Sequence, residues 1–181
     1  MKYAHYDKTN GKLLGWYDDE IHNNIPKPNI QVSDEVWEEA INNNYNYVDV
    51  ETKTLSFKDF RTLEEIKTSK ISEINGKCKQ EIISGFTSSA LGSEHIYESE
   101  QTDQLNLIGV VTAGQDDYFK CGVTDANGNV TWNYELHTIA QLQQVLVDGK
   151  THKQGLLQKA NTLKAQVTGA TTIKDVEAIE W

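Results

Sequence analysis

The chain has 181 residues, of which 38% are hydrophobic and 24% charged, and its 17 basic and 27 acidic side chains give a formal net charge of −10. This acidic balance excludes a protein that binds nucleic acid through contacts between basic side chains and phosphates. No stretch approaches the roughly 18 consecutive apolar residues of a membrane span, so we expect no membrane insertion. The first residues lack the apolar run of a signal peptide, and we expect synthesis in the cytosol.

The residue pattern changes near residue 60, and we place a domain boundary between Asp59 and Thr62. Residues 1–60 combine short strand patterns with one helical pattern, whereas residues 61–181 open with a long helical period. The sequence therefore predicts an α+β fold. A small N-terminal unit of β-hairpins and a helix is followed by a mainly α-helical domain with short β-hairpins.

The N-terminal unit begins with a predicted hairpin. Residues 3–6 and 13–17 flank Asn10-Gly11, the dipeptide typical of a tight type I′ turn. Residues 25–30 hold both prolines of the chain and are expected to be extended or turning, because each proline disfavours helix at the residue before it.

A short helix and a second hairpin complete this unit. Ser33 is a favourable N-cap, and the apolar stripe that follows it stops at residues 42–44, so we predict a helix between them. Residues 45–50 and 54–57 read as the strands of the second hairpin.

The second domain opens with a helix of about 20 residues, because apolar residues recur three to five positions apart. Thr62 and Glu65 have the spacing of a capping box at its start. Gly76 lies in its middle and indicates a kink or a close approach of another helix. The apolar positions are Leu63, Ile66, Ile71, Ile74, Cys78 and Ile82.

Two hairpins and a helix follow in the sequence. Residues 85–97 predict a short irregular hairpin, and Thr102-Asp103 opens a helix that Gly114 ends. Apolar residues then alternate with period two on both sides of Asn127-Gly128, which predicts the clearest hairpin of the chain.

The remaining residues are expected to be helical. Residues 139–146 carry the apolar pattern of one helix and residues 156–167 that of the next. A short last helix is predicted after a cap formed by Thr172 and Asp175, with Val176 and Ile179 facing inward.

No residue pattern indicates catalysis, a metal ion or a cofactor. The common nucleophile, phosphate-binding and zinc-protease motifs are missing, and no two of the five histidines share a metal-ligand spacing. Cys78 and Cys121 are far apart and are predicted to be buried, reduced thiols. Acidic pairs in the first 40 residues are compatible with a glycosidase, although a solvated helix face explains them more simply.

Aromatic residues are dense in the N-terminal unit, and tyrosine and tryptophan dominate binding surfaces. The same residues could equally form the small core of this unit, so both interpretations stay open. The candidate partner-binding residues are Tyr3, Tyr6, Trp16, Tyr17, Tyr45 and Tyr47.

Residues 3–58 resemble the opening of phage tail-fibre assembly proteins. The matching pieces are an aromatic pair beside an acidic stretch and Ile-His at residues 16–22, an Ile-Pro at residues 25–26, and a Ser-Asp-Glu-Val-Trp helix start at residues 33–37. These pieces occur in the same order in those proteins.

Residues 63–181 resemble an uncharacterised domain family found at the C-termini of phage tail-fibre-associated proteins. The matching residues are Ala90-Leu91-Gly92, His95, Tyr97, Asp103-Gln104, Asn106-Leu107, His137-Thr138, Gln141-Leu142 and Ile179-Glu180-Trp181.

Together the two resemblances imply a protein of a phage or prophage tail that acts by binding and not as an enzyme. It would help a trimeric tail-fibre protein to assemble in the bacterial host cytoplasm, or remain at the fibre tip on the virion tail. Self-association and contact with a host surface receptor are further expectations. The alternatives are a permanent structural adaptor of the tail or baseplate and, with less support, a small carbohydrate hydrolase.

Overall fold

A computed structural model describes residues 1–181, and the chain separates into two compact units, Met1–Phe60 and Arg61–Trp181. Five helices and three antiparallel sheets make up the two units, which confirms the α+β class. None of the helices combines the length and apolar character needed to cross a membrane.

The N-terminal unit is built on a three-stranded antiparallel sheet. Its strands are β1 (Lys2–Tyr6), β2 (Leu13–Asp18) and β3 (Asn29–Val32), with β1 in the centre. The predicted hairpin is present as β1 and β2. Strand β3 was missed, because the proline-containing segment before it gives no strand pattern.

The turn of this first hairpin differs from the predicted type I′ turn. That turn needs positive φ at both central residues, but only Gly11 adopts it, with φ of 74°. The chain instead forms a wider loop between the paired residues Tyr6 and Leu13, closed by a hydrogen bond from Gly11 N to Asp7 O of 2.8 Å.

The predicted helix and second hairpin of this unit are both present. Helix α1 (Asp34–Asn42) is capped by Ser33, whose hydroxyl accepts a hydrogen bond from the backbone of Val36. Strands β4 (Tyr47–Val48) and β5 (Leu55–Ser56) pair over only two residues each. The unit has a small core around the buried residues Ala4, Tyr6 and Val48.

Three helices of the C-terminal unit share one core. They are α2 (Leu63–Ile83), α4 (Ile139–Gly169) and α5 (Ile173–Glu177). The predicted capping boxes of α2 and α5 are both formed. No atom lies within 4 Å of a Cβ built on Gly76, so of the two possibilities for this glycine the close approach of another helix is not found. The buried residues are Ile66, Ile74, Cys78, Ala160, Val167 and Val176.

Helix α4 is one continuous helix of 31 residues, so the prediction of two helices over this region is wrong. A glycine in the middle of this helix serves packing. A Cβ built on Gly149 would lie 2.8 Å from the ring of Phe86, closer than real Cβ contacts come. Gly149 therefore allows the helix to approach the neighbouring strand.

A four-stranded antiparallel sheet forms the rest of this unit, in the order β6-β7-β8-β9. Its two hairpins are β6 (Phe86–Ser88) with β7 (His95–Tyr97), and β8 (Asp117–Thr124) with β9 (Val130–His137). Both were predicted, but they join into a single sheet where Ile96 of β7 pairs with Gly122 of β8.

Helix α3 (Gln101–Ala113) connects the two hairpins. It begins just before the predicted position, because Glu100 and Asp103 form its capping box, and it ends at Gly114 with a φ of 74° as expected. The core between the sheet and helices α3 and α4 contains Phe86, Tyr97, Leu107, Cys121, Leu142 and Val145.

Candidate interaction surface

The β8–β9 hairpin has an inner side, part of which packs into the core, and an outer side that faces solvent. Alternate residues of a strand point to opposite faces, and the register pairs Phe119 with Glu135 and Asp117 with His137. Phe119, Cys121 and His137 pack into the core on the inner side. Cys121 and Cys78 are both free and buried, as predicted.

A hydrogen-bond chain fixes the inner side of the hairpin. His137 is fully buried, and its Nδ1 lies 2.8 Å from the carbonyl oxygen of Glu135, which can only accept a hydrogen bond. Nδ1 therefore donates, and Nε2 forms the second hydrogen bond of the ring, with the hydroxyl of Tyr97 at 2.9 Å. Burial raises the pKa of the Tyr97 hydroxyl, so this group remains a donor.

The opposite side of the hairpin exposes large apolar and aromatic side chains, and we call it the outer face. Tyr134 and Tyr118 expose 68% and 62% of their surface, and Leu136 exposes 55%. Apolar groups gathered at one exposed place are typical of binding surfaces. The outer face comprises Tyr118, Val130, Trp132, Tyr134 and Leu136.

The Trp132 ring packs over Gly122 of the neighbouring strand. Trp132 pairs with Gly122, where a Cβ would come within 2.6 Å of Val130 and 3.0 Å of the Trp132 ring. The glycine thus makes room for the indole, which keeps 36% of its surface exposed. Trp132 therefore belongs to the outer face and not to the core.

One cation borders the outer face and is neutralised. Lys120 Nζ lies 5.1 Å from the centre of the Trp132 ring and 2.7 Å from a carboxylate oxygen of Glu98. The hydrogen bond to Glu98 raises the pKa of Lys120, so the ion pair persists at neutral pH. The outer face therefore presents aromatic surface with little net charge.

Two cavities lie beside helix α3. One of about 560 Å³ adjoins the outer face and is lined by Asn106, Tyr118, Lys120 and Tyr134 among others. The other, about 340 Å³, lies between α3 and α4 over Leu107 and Leu146. The cavity of about 560 Å³ is the one that a partner chain covering the outer face would meet, because Tyr118 and Tyr134 line it.

The N-terminal candidates divide between core and surface. Tyr6 keeps only 4% of its surface exposed, packs in the core, and accepts a hydrogen bond from Lys53 Nζ at 2.9 Å. Trp16 packs against the same core. The core interpretation therefore holds for Tyr6, which offers no surface to a partner.

The other four N-terminal candidates are half-buried. Tyr3 and Tyr45 each donate a hydrogen bond to a carboxylate, and Tyr17 packs edge-on against the ring of His22. Tyr47 receives the ammonium of Lys58 over its ring at 4.4 Å. These side chains are held by local partners and present less free surface than the outer face.

Comparison with protein families identifies the second unit. A family described as "Domain of unknown function (DUF4376)" matches residues 65–180, which is more than half of the chain. The chain belongs to the DUF4376 family. No curated protein and no solved structure matches it significantly.

Proposed function

We propose that this chain is a phage or prophage tail-fibre-associated protein that acts by binding protein, as a fibre assembly chaperone or as a retained fibre-tip component. The observation that supports a binding role is the outer face, where Tyr118, Tyr134 and Leu136 are more than half exposed. Exposed aromatic side chains of this kind supply much of the energy of protein interfaces.

The phage context of the proposal depends on sequence resemblance. Residues 3–58 resemble tail-fibre assembly proteins, and residues 63–181 resemble a domain at the C-termini of tail-fibre-associated proteins. The proposed partner is a tail-fibre protein, which we expect to be trimeric. In this role the chain has no catalytic step and needs no cofactor.

The two units would have different parts in binding. The outer face offers the larger uncharged aromatic surface, and we assign the main contact with the fibre to it. The half-buried tyrosines of the N-terminal unit, among them Tyr3 and Tyr17, would add a smaller contact. A retained copy at the fibre tip would also be able to touch the host surface.

Mass spectrometry of purified phage particles or induced prophage tails tests where the protein acts. A chaperone would be found on fibre precursors in the host lysate and missing from finished particles. A tip component or a permanent tail adaptor would be present in stoichiometric amounts. Detection in neither fraction, with the gene expressed, would contradict the proposal.

Co-expression with a tail-fibre gene of the same phage or prophage tests the chaperone form directly. We expect the fibre to be soluble and trimeric with this protein and to aggregate without it. A fibre that trimerises equally well alone would remove the chaperone role and leave the retained component.

A further inference from the structure

Strand β9 is an open edge of the four-stranded sheet, because no strand follows it in the order β6-β7-β8-β9. Residues 130–136 are exposed, and the strand is eight residues long. Native edge strands are commonly protected by proline, lysine or short length, and β9 has none of these. This edge is therefore suited to pairing with another strand.

The register shows which backbone groups are free. Asp125 N donates a hydrogen bond of 2.9 Å to Asn129 O, so these two residues form a hydrogen-bonded pair directly before the first residue pair of β8 and β9. Counting from that pair, the odd-numbered residues of β9 are the ones hydrogen-bonded to β8. Hydrogen-bonded and non-hydrogen-bonded pairs alternate in an antiparallel ladder. The N–H and C=O groups of Val130, Trp132, Tyr134 and Leu136 thus point away from β8, to the open edge.

We propose that β9 pairs antiparallel with β9 of a second copy of this chain, about a twofold axis at Asn133. The four edge-bonding residues run Val-Trp-Tyr-Leu, so the order aliphatic, aromatic, aromatic, aliphatic is the same in both directions. In this register Trp132 lies opposite Tyr134 of the second copy, and Val130 opposite Leu136. A twofold interface requires such self-complementarity.

Charge favours the same register. Glu135 is the only Asp, Glu, Lys or Arg side chain in β9, and pairing about Asn133 places it opposite Thr131 of the second copy. Pairing about Glu135 would bring two carboxylates together, which is destabilising. Pairing about Tyr134 would place Trp132 opposite Leu136, so that one Tyr134–Tyr134 pair replaces the two Trp132–Tyr134 pairs of the register about Asn133.

The pairing would extend each four-stranded sheet into one of eight strands. The outer faces of the two copies would lie side by side on the same side of that sheet, because opposite residues of antiparallel strands share a face. The inference depends on the strand edge alone and does not rest on the proposed function.

Sedimentation velocity of the full chain over a concentration series tests the pairing without any phage protein. Thr131→Lys places a lysine opposite Glu135 twice per dimer, and Thr131→Glu places a second carboxylate there. Thr131 is exposed, so both variants should fold. We expect a reversible dimer, with a dissociation constant lowered roughly threefold or more by the lysine and raised as much by the glutamate at low salt.

Two further variants define the interface. Tyr134→Pro removes an edge-facing N–H without breaking the bonds to β8, and it should give a monomer. Asn133→Lys places two lysines together on the twofold axis and should also weaken the dimer. If Asn133→Lys strengthens association instead, the register about Asn133 is wrong, because Asn133 then faces Glu135.

A chain that remains monomeric at all accessible concentrations would overturn the proposal. So would a dimer that responds equally to Thr131→Lys and Thr131→Glu, since it would be formed by another surface. Far-ultraviolet circular dichroism of each variant shows whether a lost dimer reflects a lost fold.

Discussion

The aromatic residues near the N-terminus and those of the outer face are similar in kind but differ in their surroundings. Tyr6 is buried and Trp16 packs against the same core, whereas Tyr118 and Tyr134 expose more than 60% of their surface. Density of aromatic residues along the sequence therefore does not identify a binding surface. Strand register determines which side chains reach solvent.

The difference predicts opposite responses to alanine substitution. Tyr6→Ala should lower the free energy of unfolding of the N-terminal unit by about 3 to 5 kcal/mol, because it leaves a cavity in a small core. Tyr134→Ala should change the stability of its own unit by no more than about 0.5 kcal/mol. Urea unfolding with amide hydrogen exchange resolves the two units, and a large loss at Tyr134 would show that the outer face is structural.

A second pair of variants compares the two sides of the β8–β9 hairpin. Each variant removes one tyrosine hydroxyl group, the first in contact with the inner side and the second on the outer face. Tyr97→Phe leaves Nε2 of buried His137 without its hydrogen-bond partner and should cost about 1 to 3 kcal/mol. Tyr118→Phe removes an exposed hydroxyl and should be neutral. Equal effects of the two changes in urea unfolding would contradict the assignment of inner and outer sides.

A third pair of variants tests the packing around the inner aromatic residue Phe86. Gly149→Ala would press on the Phe86 ring, and its overpacking cost of about 1 to 3 kcal/mol outweighs the gain in helix propensity of about 1 kcal/mol. Gly155→Ala in the same helix meets open space and should stabilise by up to about 1 kcal/mol. An increase in the melting temperature of both variants would show that Phe86 moves aside freely.

Acid titration examines the charges beside the N-terminal aromatics. The hydrogen bond from Lys2 lowers the pKa of Asp18 to about 2, and these residues pair across β1 and β2 next to Tyr3 and Tyr17. A lowered pKa stabilises the fold above the ordinary aspartate value of about 3.9, and this stabilisation is lost as the pH falls towards 2.

Asp18→Asn should therefore reduce the stability of the N-terminal unit at neutral pH and flatten its decline between about pH 4 and pH 2. The decline can be followed by hydrogen exchange of β1 at each pH. An unchanged pH profile would mean that the Lys2–Asp18 contact does not contribute to folding.

The helix caps and strand alternation could be read from the sequence, because each depends on residues close together in the chain. Ser33, Thr62 and Thr172 begin helices as predicted. Gly149 could not be interpreted in this way, since its role depends on Phe86, a residue distant in sequence. In the fold, this glycine allows close contact between helix α4 and strand β6.

The outer face was missed because its position depends on one turn. A two-residue turn at Asn127-Gly128 would have placed Cys121 opposite Tyr134 and gathered the apolar residues of both strands on one side. The observed loop spans five residues and pairs Cys121 with Asn133. A register shift of one residue turns every side chain of β9 to the other face, which moves Trp132 out of the core.

Co-expression of surface variants with a tail-fibre gene of the same phage or prophage tests the central claim most directly. Tyr118→Ser, Tyr134→Ser and Leu136→Ser together alter the outer face, and Val147→Ser, Leu157→Ser and Ile173→Ser form a matched control on exposed helix positions. We predict that fibre co-purification is lost with the first set and retained with the second. Retention of the fibre by a folded outer-face variant would contradict the claim that this surface binds it.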